Sequence, residues 1–462
     1  MKKVLVANRG EIARRVIRAC REAGLATVAI ASEADAGSLH ARDADECVIV
    51  GPAPARASYL RVDAILEAAA RSGADAVHPG YGFLSESAEF AAAVQAAGLT
   101  WIGPAPATIA RMGDKQRARE AAAAAGVPVA PGSPRFAEDA PEDQVRAAAA
   151  AVGYPLLIKA ASGGGGIGMR RVDRPERLAA VLASARATAG KAFGDATVYL
   201  EKFVPDARHV EVQVFGWGAA GAQAFGERDC SLQRRFQKVV EEAPAPGLSD
   251  TTRAAMADAA VALCRAVDYE GAGTVEYVYD AATSAFFFLE MNTRIQVEHP
   301  VTEMAAGVDL VRMQLDYAAG RSPAPGPQAM LTGHAIECRL YAEDPAKGFL
   351  PSPGKLSRFR TLAPGPDLRI ETAYAEGDEI TPYYDPMIAK IILRGADRDA
   401  ARRAALATLR AVEIEGVATN LRFLIACLED PDIIAGRLDT GLLERRRTAL
   451  VAAAASLDVA IA

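Results

Sequence analysis

Over the first hundred residues, short apolar runs alternate with stretches in which apolar residues recur every three or four positions. That alternation predicts βαβ units and a parallel sheet. Val4 to Ala7 reads as a strand, Gly10 as a turn, and Ile12, Val16, Ile17 and Cys20 as the buried stripe of the following helix. Further strands are predicted at 27–31, 47–50 and 76–77, giving a Rossmann-like opening. No G-x-G-x-x-G follows the first strand, so dinucleotide binding has no specific support. Residues 131–146 are rich in turn formers and charge, as a hinge or linker would be. A compact segment comes next, with a helix at 142–152, strands at 156–160 and 169–172, and a glycine run between the strands. In 209–214 the period becomes two, with Val210, Val212 and Val214 on one side and His209, Glu211 and Gln213 on the other. Such a polar face suggests the floor of a site. A helix at 251–267 and a hairpin at 274–279 and 285–291 follow. After a Pro/Gly-rich break at 320–327, strands at 334–341, 368–374 and 387–393 mix with helices near 397–411 and 418–428. The expected architecture is α/β and α+β multidomain: a Rossmann-like unit at 1–114, a second unit at 115–330 with a lid at about 131–203, a closing α+β region at 331–447, and a frayed helix or tail at 448–462.

Composition narrows the class without deciding it. A chain of 462 residues exceeds one hydrophobic core. With 24% charged residues and a formal net charge of −6, nothing draws the whole molecule to nucleic acid or to an acidic membrane. The six cysteines are scattered, with no CxxC pair, and read as free thiols of a reducing compartment. A strand pattern starts at Lys3, which leaves no room for a secretion signal, and charge interrupts every apolar stretch short of the ~20 residues a membrane helix needs. A cytoplasmic protein, bound to neither membrane nor nucleic acid, is expected.

Three constellations carry chemistry. The first is Lys159 followed by Ala160-Ala161-Ser162-Gly163-Gly164-Gly165-Gly166-Ile167-Gly168-Met169, a glycine loop joining two strands. Backbone N–H groups freed of Cβ atoms can close on phosphate oxygens, and the lysine adds charge. A flexible hairpin tip would have the same composition, and no GK[ST] makes it a Walker A loop. The second is the hairpin carrying Glu276 on one strand and Glu290 with Asn292 on the other. With a loop at 281–285, Glu276 falls opposite Glu290. Two such carboxylates repel by about 4 kcal/mol at roughly 4 Å and an effective dielectric near 20, which calls for a cation, and oxygen ligands select magnesium or manganese. An exposed acidic hairpin has the same spacing. The third is Arg294, Gln296 and Glu298, which in extended geometry share one face, able to hold a small oxyanion and take its proton. A surface salt-bridge strand would look similar. His299, before a proline, reads as structural, and Lys238 and Arg339 say little alone.

The motifs ANRGEIA (7–13), HPGYGFLSE (78–86), GERDCSLQRR (226–235), QKVVEEAPAPG (237–247), EMNTRIQVEHPVTE (290–303) and AEDP (342–345) resemble the biotin carboxylase subunits and domains of acyl-CoA carboxylases. The likeness runs from Lys3 to about Arg446. It implies an ATP-grasp domain with a mobile glycine-rich lid and an enzyme that carboxylates biotin with ATP and bicarbonate. Lys115, Lys159 and His209 would then bind ATP phosphates under the lid residues Gly163, Gly164, Gly165, Gly166 and Met169, with Glu201, Lys202 and Gln233 near base and ribose. Glu276, Glu290 and Asn292 would hold magnesium or manganese. Bicarbonate would sit against Lys238, Arg294, Gln296 and the backbone of Val297, with Glu298 as its base. The biotin ureido ring would lie near Tyr81, Gly82 and Arg339. Ile167, Ser162 and Phe236 depart from the family pattern, where a basic residue, a glycine and a histidine are usual. None touches the expected base or metal ligands, so an active enzyme is expected. The only Met-Lys is Met1-Lys2, so biotin is expected on a separate biotin carboxyl carrier protein, with carboxyltransferase subunits as partners and a homodimer as the assembly. A different ATP-grasp ligase would account for the loop and the carboxylates but not for 294–298. A silent scaffold would not need Lys238, Arg294, Glu298 and Arg339 together.

Overall fold

The computed structural model describes residues 1–161, 169–322, 325–326 and 328–457. Its N-terminal sheet is parallel throughout, in the spatial order Glu46–Ile49, Ala26–Ala31, Lys3–Val6, Ala76–His78, Thr100–Trp101. The order reverses between Lys3–Val6 and Ala76–His78, and a parallel sheet opens a crevice at such a switch point. Asn8 fills it by donating from Nδ2 to the carbonyls of Pro79 and Tyr81, 2.7 Å each. Gly80 (φ +62°) is required there, because a Cβ would lie 2.9 Å from that amide. The helix Gly10–Glu22 buries Ile12, Val16, Ile17 and Cys20, the stripe expected from spacing.

The middle and end of the chain share one antiparallel sheet of eight strands. Its order is Ala285–Asn292, Glu270–Asp280, Arg208–Trp217, Ala222–Arg234, Gln237–Ala243, His334–Tyr341, Met387–Gly395, Leu368–Thr372. The expected division near 331 therefore falls inside a connection within a single sheet, because Gln237–Ala243 pairs with His334–Tyr341. Val210, Val212 and Val214 pack with Met256, Ala260 and Leu263 of helix Asp250–Ala266, which covers one face. On the other face Glu211 and Gln213 are fully buried too, so the polar side of this strand is an interior.

Above this sheet stands a small three-stranded one, Arg170–Val172, Leu156–Ala160 and Val198–Lys202, with helices Glu142–Val152 and Leu178–Phe193 and an apolar core of its own. The expected linker is partly built into it: Gly132 bridges to Glu201 and Phe136 to Val198. Residues 448–456 are no loose tail, and 458–462 lie outside the described residues. Helix Leu442–Ser456 buries Leu450 and Ala454 in the core around the strands His334–Tyr341 and Met387–Gly395. No helix among the described residues is long and apolar enough to cross a membrane.

Candidate active site

The small sheet and the large one enclose a cavity of about 640 Å³. Lys115, Lys159, Met169, Glu201, Lys202, His209, Gln233 and Glu290 all line it. Lys159 pairs with Glu201, and Arg119 reaches the same carboxylate at 3.3 Å. Arg119 was not expected from the sequence. One turn beyond Lys115 on the helix Lys115–Ala124, it lacks a motif of its own. Lys202 donates to the Tyr154 carbonyl at 3.1 Å. Phe236 lines the cavity from an exposed turn in which Arg235 and Phe236 both take left-handed backbone (φ 48° and 68°). Gly163, Gly164, Gly165 and Gly166, with Ser162 and Ile167, lie outside the described residues.

The acidic hairpin brings Glu276 directly opposite Glu290, but by another route than the one expected. The loop is one residue shorter, so the strands pair Asp280 with Ala285, and an irregularity at Leu289 then shifts the register back. The bulged residue is 39% exposed, which leaves the two glutamates facing each other. Burial, and then the Glu276 charge, push the Glu290 carboxyl above its ordinary range. Burial would raise Glu276 too, yet Lys238 and His209 hold it well below. His209 Nε2 stands 2.8 Å from Glu276 Oε2, and Asn292 Nδ2 donates to Oε1 at 2.8 Å. Opposed carboxylates, one of them resisting ionisation, suit an oxygen-seeking divalent cation.

Residues 293–298 are not extended. They bend and turn into helix His299–Ala306, with Glu298 at its N-cap and Pro300 in its first turn. Proline's fixed φ starts that helix, which curls the preceding residues out of strand geometry. The turn still gathers the residues that extension was expected to align. Gln296 Nε2 donates to Glu276 Oε1 at 2.7 Å. Arg294 donates to Asn292 Oδ1 at 2.8 Å and pairs with Glu86 at 3.0 Å. Glu298 receives Lys238 Nζ at 2.5 Å and Arg339 Nη2 at 3.0 Å. Lys238 also reaches Glu211 at 2.7 Å and Glu276 at 3.4 Å, which ties the clamp to the hairpin. Burial opposes ionisation of Glu298, but Lys238, Arg339 and Arg228 overcome it and hold the carboxyl well below its usual range. His299 is fully buried and donates from Nδ1 to the Gln296 carbonyl at 2.7 Å, a structural tie as expected.

Arg228, not singled out from the sequence, is the hub beneath. Fully buried, it donates to Glu211 (2.5 Å), Gln213 (2.7 Å), Thr302 (2.9 Å), Thr274 (3.1 Å) and Gln296 (3.2 Å). The polar face of 209–213 was the available signal, because buried carboxylates need a buried cation. At the switch-point crevice, Tyr81 donates to Glu11, whose other oxygen lies 3.1 Å from Lys390 Nζ. Lys390 in turn donates to the Val297 carbonyl at 2.8 Å. Tyr81 is thus linked to the Val297 carbonyl through Glu11 and Lys390, and the charge of Arg339 acts on Tyr81.

A lid sheet over a carboxylate-bearing antiparallel sheet, beside a Rossmann-like domain, defines an ATP-grasp protein. Three family models cover the chain: "Biotin carboxylase, N-terminal domain" over residues 1–109, "Carbamoyl-phosphate synthase L chain, ATP binding domain" over 114–323, and "Biotin carboxylase C-terminal domain" over 337–445. Biotin carboxylase 1 of Bacillus subtilis is 46% identical over 446 residues, 96% of this chain and 98% of its own length. The chain belongs to the biotin carboxylase family. It is also 47% identical to the mitochondrial methylcrotonoyl-CoA carboxylase subunit alpha of Oryza sativa, across 98% of this chain but only 61% of that subunit. The biotin carboxylase domain dimer of the Hydrogenobacter thermophilus 2-oxoglutarate carboxylase, solved with MgADP, ADP and bicarbonate, superposes with a TM-score of 0.89 at 42% identity, covering 97% of this chain and 98% of that one.

Proposed function

We propose that this chain carboxylates biotin on a separate biotin carboxyl carrier protein, using ATP and bicarbonate, as the first half-reaction of an acyl-CoA carboxylase. The observation that carries the reading is the buried chain of contacts from Glu276 through Lys238 to Glu298 and Arg339, which joins a site for a cation to a clamp for an anion. Lys115, Lys159 and His209 take the ATP phosphates, and Glu201, Lys202 and Gln233 the ribose and base, with Met169 and the glycine loop closing over them. Glu276, Glu290 and Asn292 hold a magnesium or manganese ion, which supplies positive charge to the transferring phosphoryl group. Bicarbonate lies against Lys238, Arg294, Gln296 and Val297.

As Lys238 and Arg339 turn toward that anion they loosen their hold on Glu298, whose basicity rises until it can take the bicarbonate proton. Attack of a bicarbonate oxygen on the γ-phosphorus breaks its bond to the β-phosphate oxygen, giving carboxyphosphate and ADP, and fixed cations meet the developing charge. Carboxyphosphate releases CO2 and phosphate, and the phosphate takes the N1 proton of biotin. Arg339, with Tyr81 and Gly82 beside it, stabilises the resulting ureido anion. The near-complete match to a relative named biotin carboxylase supports a separate carrier. The dimer of the Hydrogenobacter domain supports a homodimer. ADP release should depend on bicarbonate and rise with free biotin; turnover indifferent to both would favour another ATP-grasp ligase.

A further inference from the structure

The polar face of the large sheet continues beyond the residues placed above. Glu241 and Glu337 stand directly across from each other on the antiparallel strands Gln237–Ala243 and His334–Tyr341, and both are fully buried. Cross-strand partners project to the same side, and Arg339, two residues after Glu337, shares it. Arg339 Nη2 pairs with Glu241 Oε1 and with Glu298 Oε2, while its Nε lies 4.0 Å from Glu337 Oε1. One guanidinium therefore serves three carboxylates. The other cation facing Glu337 is Lys390, opposite Arg339 in register. Its ammonium is already committed to Glu11 and the Val297 carbonyl. Both oxygens of Glu337 lack a hydrogen-bond partner among the described residues. Two ionised carboxylates side by side in a buried sheet with no dedicated cation are costly, and one proton between them removes the conflict.

We propose that Glu241 and Glu337 share a single proton, and that this monoanionic pair positions Arg339 for the biotin-dependent part of the reaction. The inference rests on the function proposed above. Burial pushes Glu241 up to about 7 against the pull of Arg339, with Glu298 raising it further and Lys238 opposing. Burial lifts Glu337 well above the carboxylate range, against Lys390 and Arg339 and with Glu241 and Glu298 adding to the rise. Cys230 also feels the Glu241 charge. The charge state matters because Arg339 divides its attraction. A fully ionised pair would cancel the positive charge that a ureido anion needs. A neutral pair would leave the guanidinium without the carboxylate that fixes where it meets the ureido anion. Glu241 and Glu337 are thus positioning residues, acting through Arg339.

The test uses the full chain with free biotin as the probe, and compares bicarbonate-dependent ADP release without biotin to the increment biotin adds. Glu241→Gln should lower the biotin increment about 10- to 100-fold through kcat, as loss of a supporting partner commonly does, and leave the biotin-free rate and the KM for ATP unchanged. Glu337→Gln, which puts a neutral amide where the proton sits, should retain most of the increment. Equal losses in both partial reactions, or an unaltered increment in Glu241→Gln, would overturn the proposal. If the wild type ignores biotin altogether, the functional reading falls and takes this role of Arg339 with it; a failure confined to the variants falls on the pair alone. Infrared spectra give a check that needs neither turnover nor a folded Glu241→Gln. The carbonyl band of a protonated carboxylic acid should be present in the wild type at neutral pH and missing in Glu337→Gln, and its absence from the wild type rejects the shared proton.

Discussion

The buried polar face of the large sheet, the floor of the site, and the lid above the cavity hold their charges differently. On the floor, Arg228, Glu211 and Glu298 are at most 2% exposed, and each ionised group meets an opposite charge within hydrogen-bond reach. On the lid, Lys159 and Glu201 keep part of their exposure. The floor belongs to a sheet whose strands are drawn from residues 208–395, whereas the lid has a small core of its own. Folding sets the floor once, whereas on the function proposed above the lid would be set anew by closure at each turnover. Chemistry that needs fixed geometry therefore belongs on the floor, and recognition that must let go belongs above.

That division can be broken by substitution. Glu298→Gln should lower biotin carboxylation by about 10²- to 10⁴-fold, the usual worth of a positioned base, with ATP affinity unchanged in a nucleotide titration. Near-wild-type turnover would take Glu298 out of the mechanism. Arg228→Met removes a cation from beneath Glu211 and Gln296 and should destabilise the fold by about 3–5 kcal/mol in urea unfolding, since Glu211 keeps its charge and loses its main partner. A loss under 1 kcal/mol would show that Lys238 alone can satisfy Glu211. Lys159→Gln is the counterpart on the lid. It should raise the KM for ATP by about 10- to 100-fold through one charge-assisted phosphate contact, and shift stability by no more than about 1 kcal/mol because its partner Glu201 is partly solvated. If Lys159→Gln unfolds the protein as readily as Arg228→Met, the two halves are not built differently after all.

How much of this was legible in the sequence follows the same line. Period-two alternation marked 209–214 as a strand with a polar face, but whether that face met water or an interior depended on residues far along the chain, among them Arg228, Lys238, Thr274 and Thr302. Arg228 and Glu241 were invisible for that reason: each sits in a motif of the family, yet only the assembled sheet makes one a hub and the other a neighbour of Glu337. The opposition of Glu276 and Glu290 was reached with a loop one residue too long, and the irregularity at Leu289 restored the pairing. Alternation alone cannot reveal a bulge. At 294–298 the error went the other way. Spacing argued for extension, whereas Pro300 begins a helix, and the side chains converge from a turn. The bulge lies beyond any local window, whereas at 294–298 the local signal was Pro300 itself, read too weakly against the alternation.

The smallest expected effect is the most local. Phe236 is 65% exposed on the cavity wall, on a turn where its backbone and that of Arg235 are left-handed. Nothing packs over its ring enough to make the side chain matter for folding, so Phe236→His should leave stability within about 0.5 kcal/mol, as surface changes do. The imidazole adds a donor facing the nucleotide cavity, and one neutral hydrogen bond nets about 0.5–1.5 kcal/mol, which is a decrease in the KM for ATP of roughly 2- to 12-fold. The kcat should not move, because Lys238, two residues on and proposed to meet bicarbonate, is held by Glu211, Glu276 and Glu298 and not by the turn. A fall in kcat on Phe236→His would mean that the rim of the cavity sets the rate, through lid opening, and that the floor is not where turnover is decided.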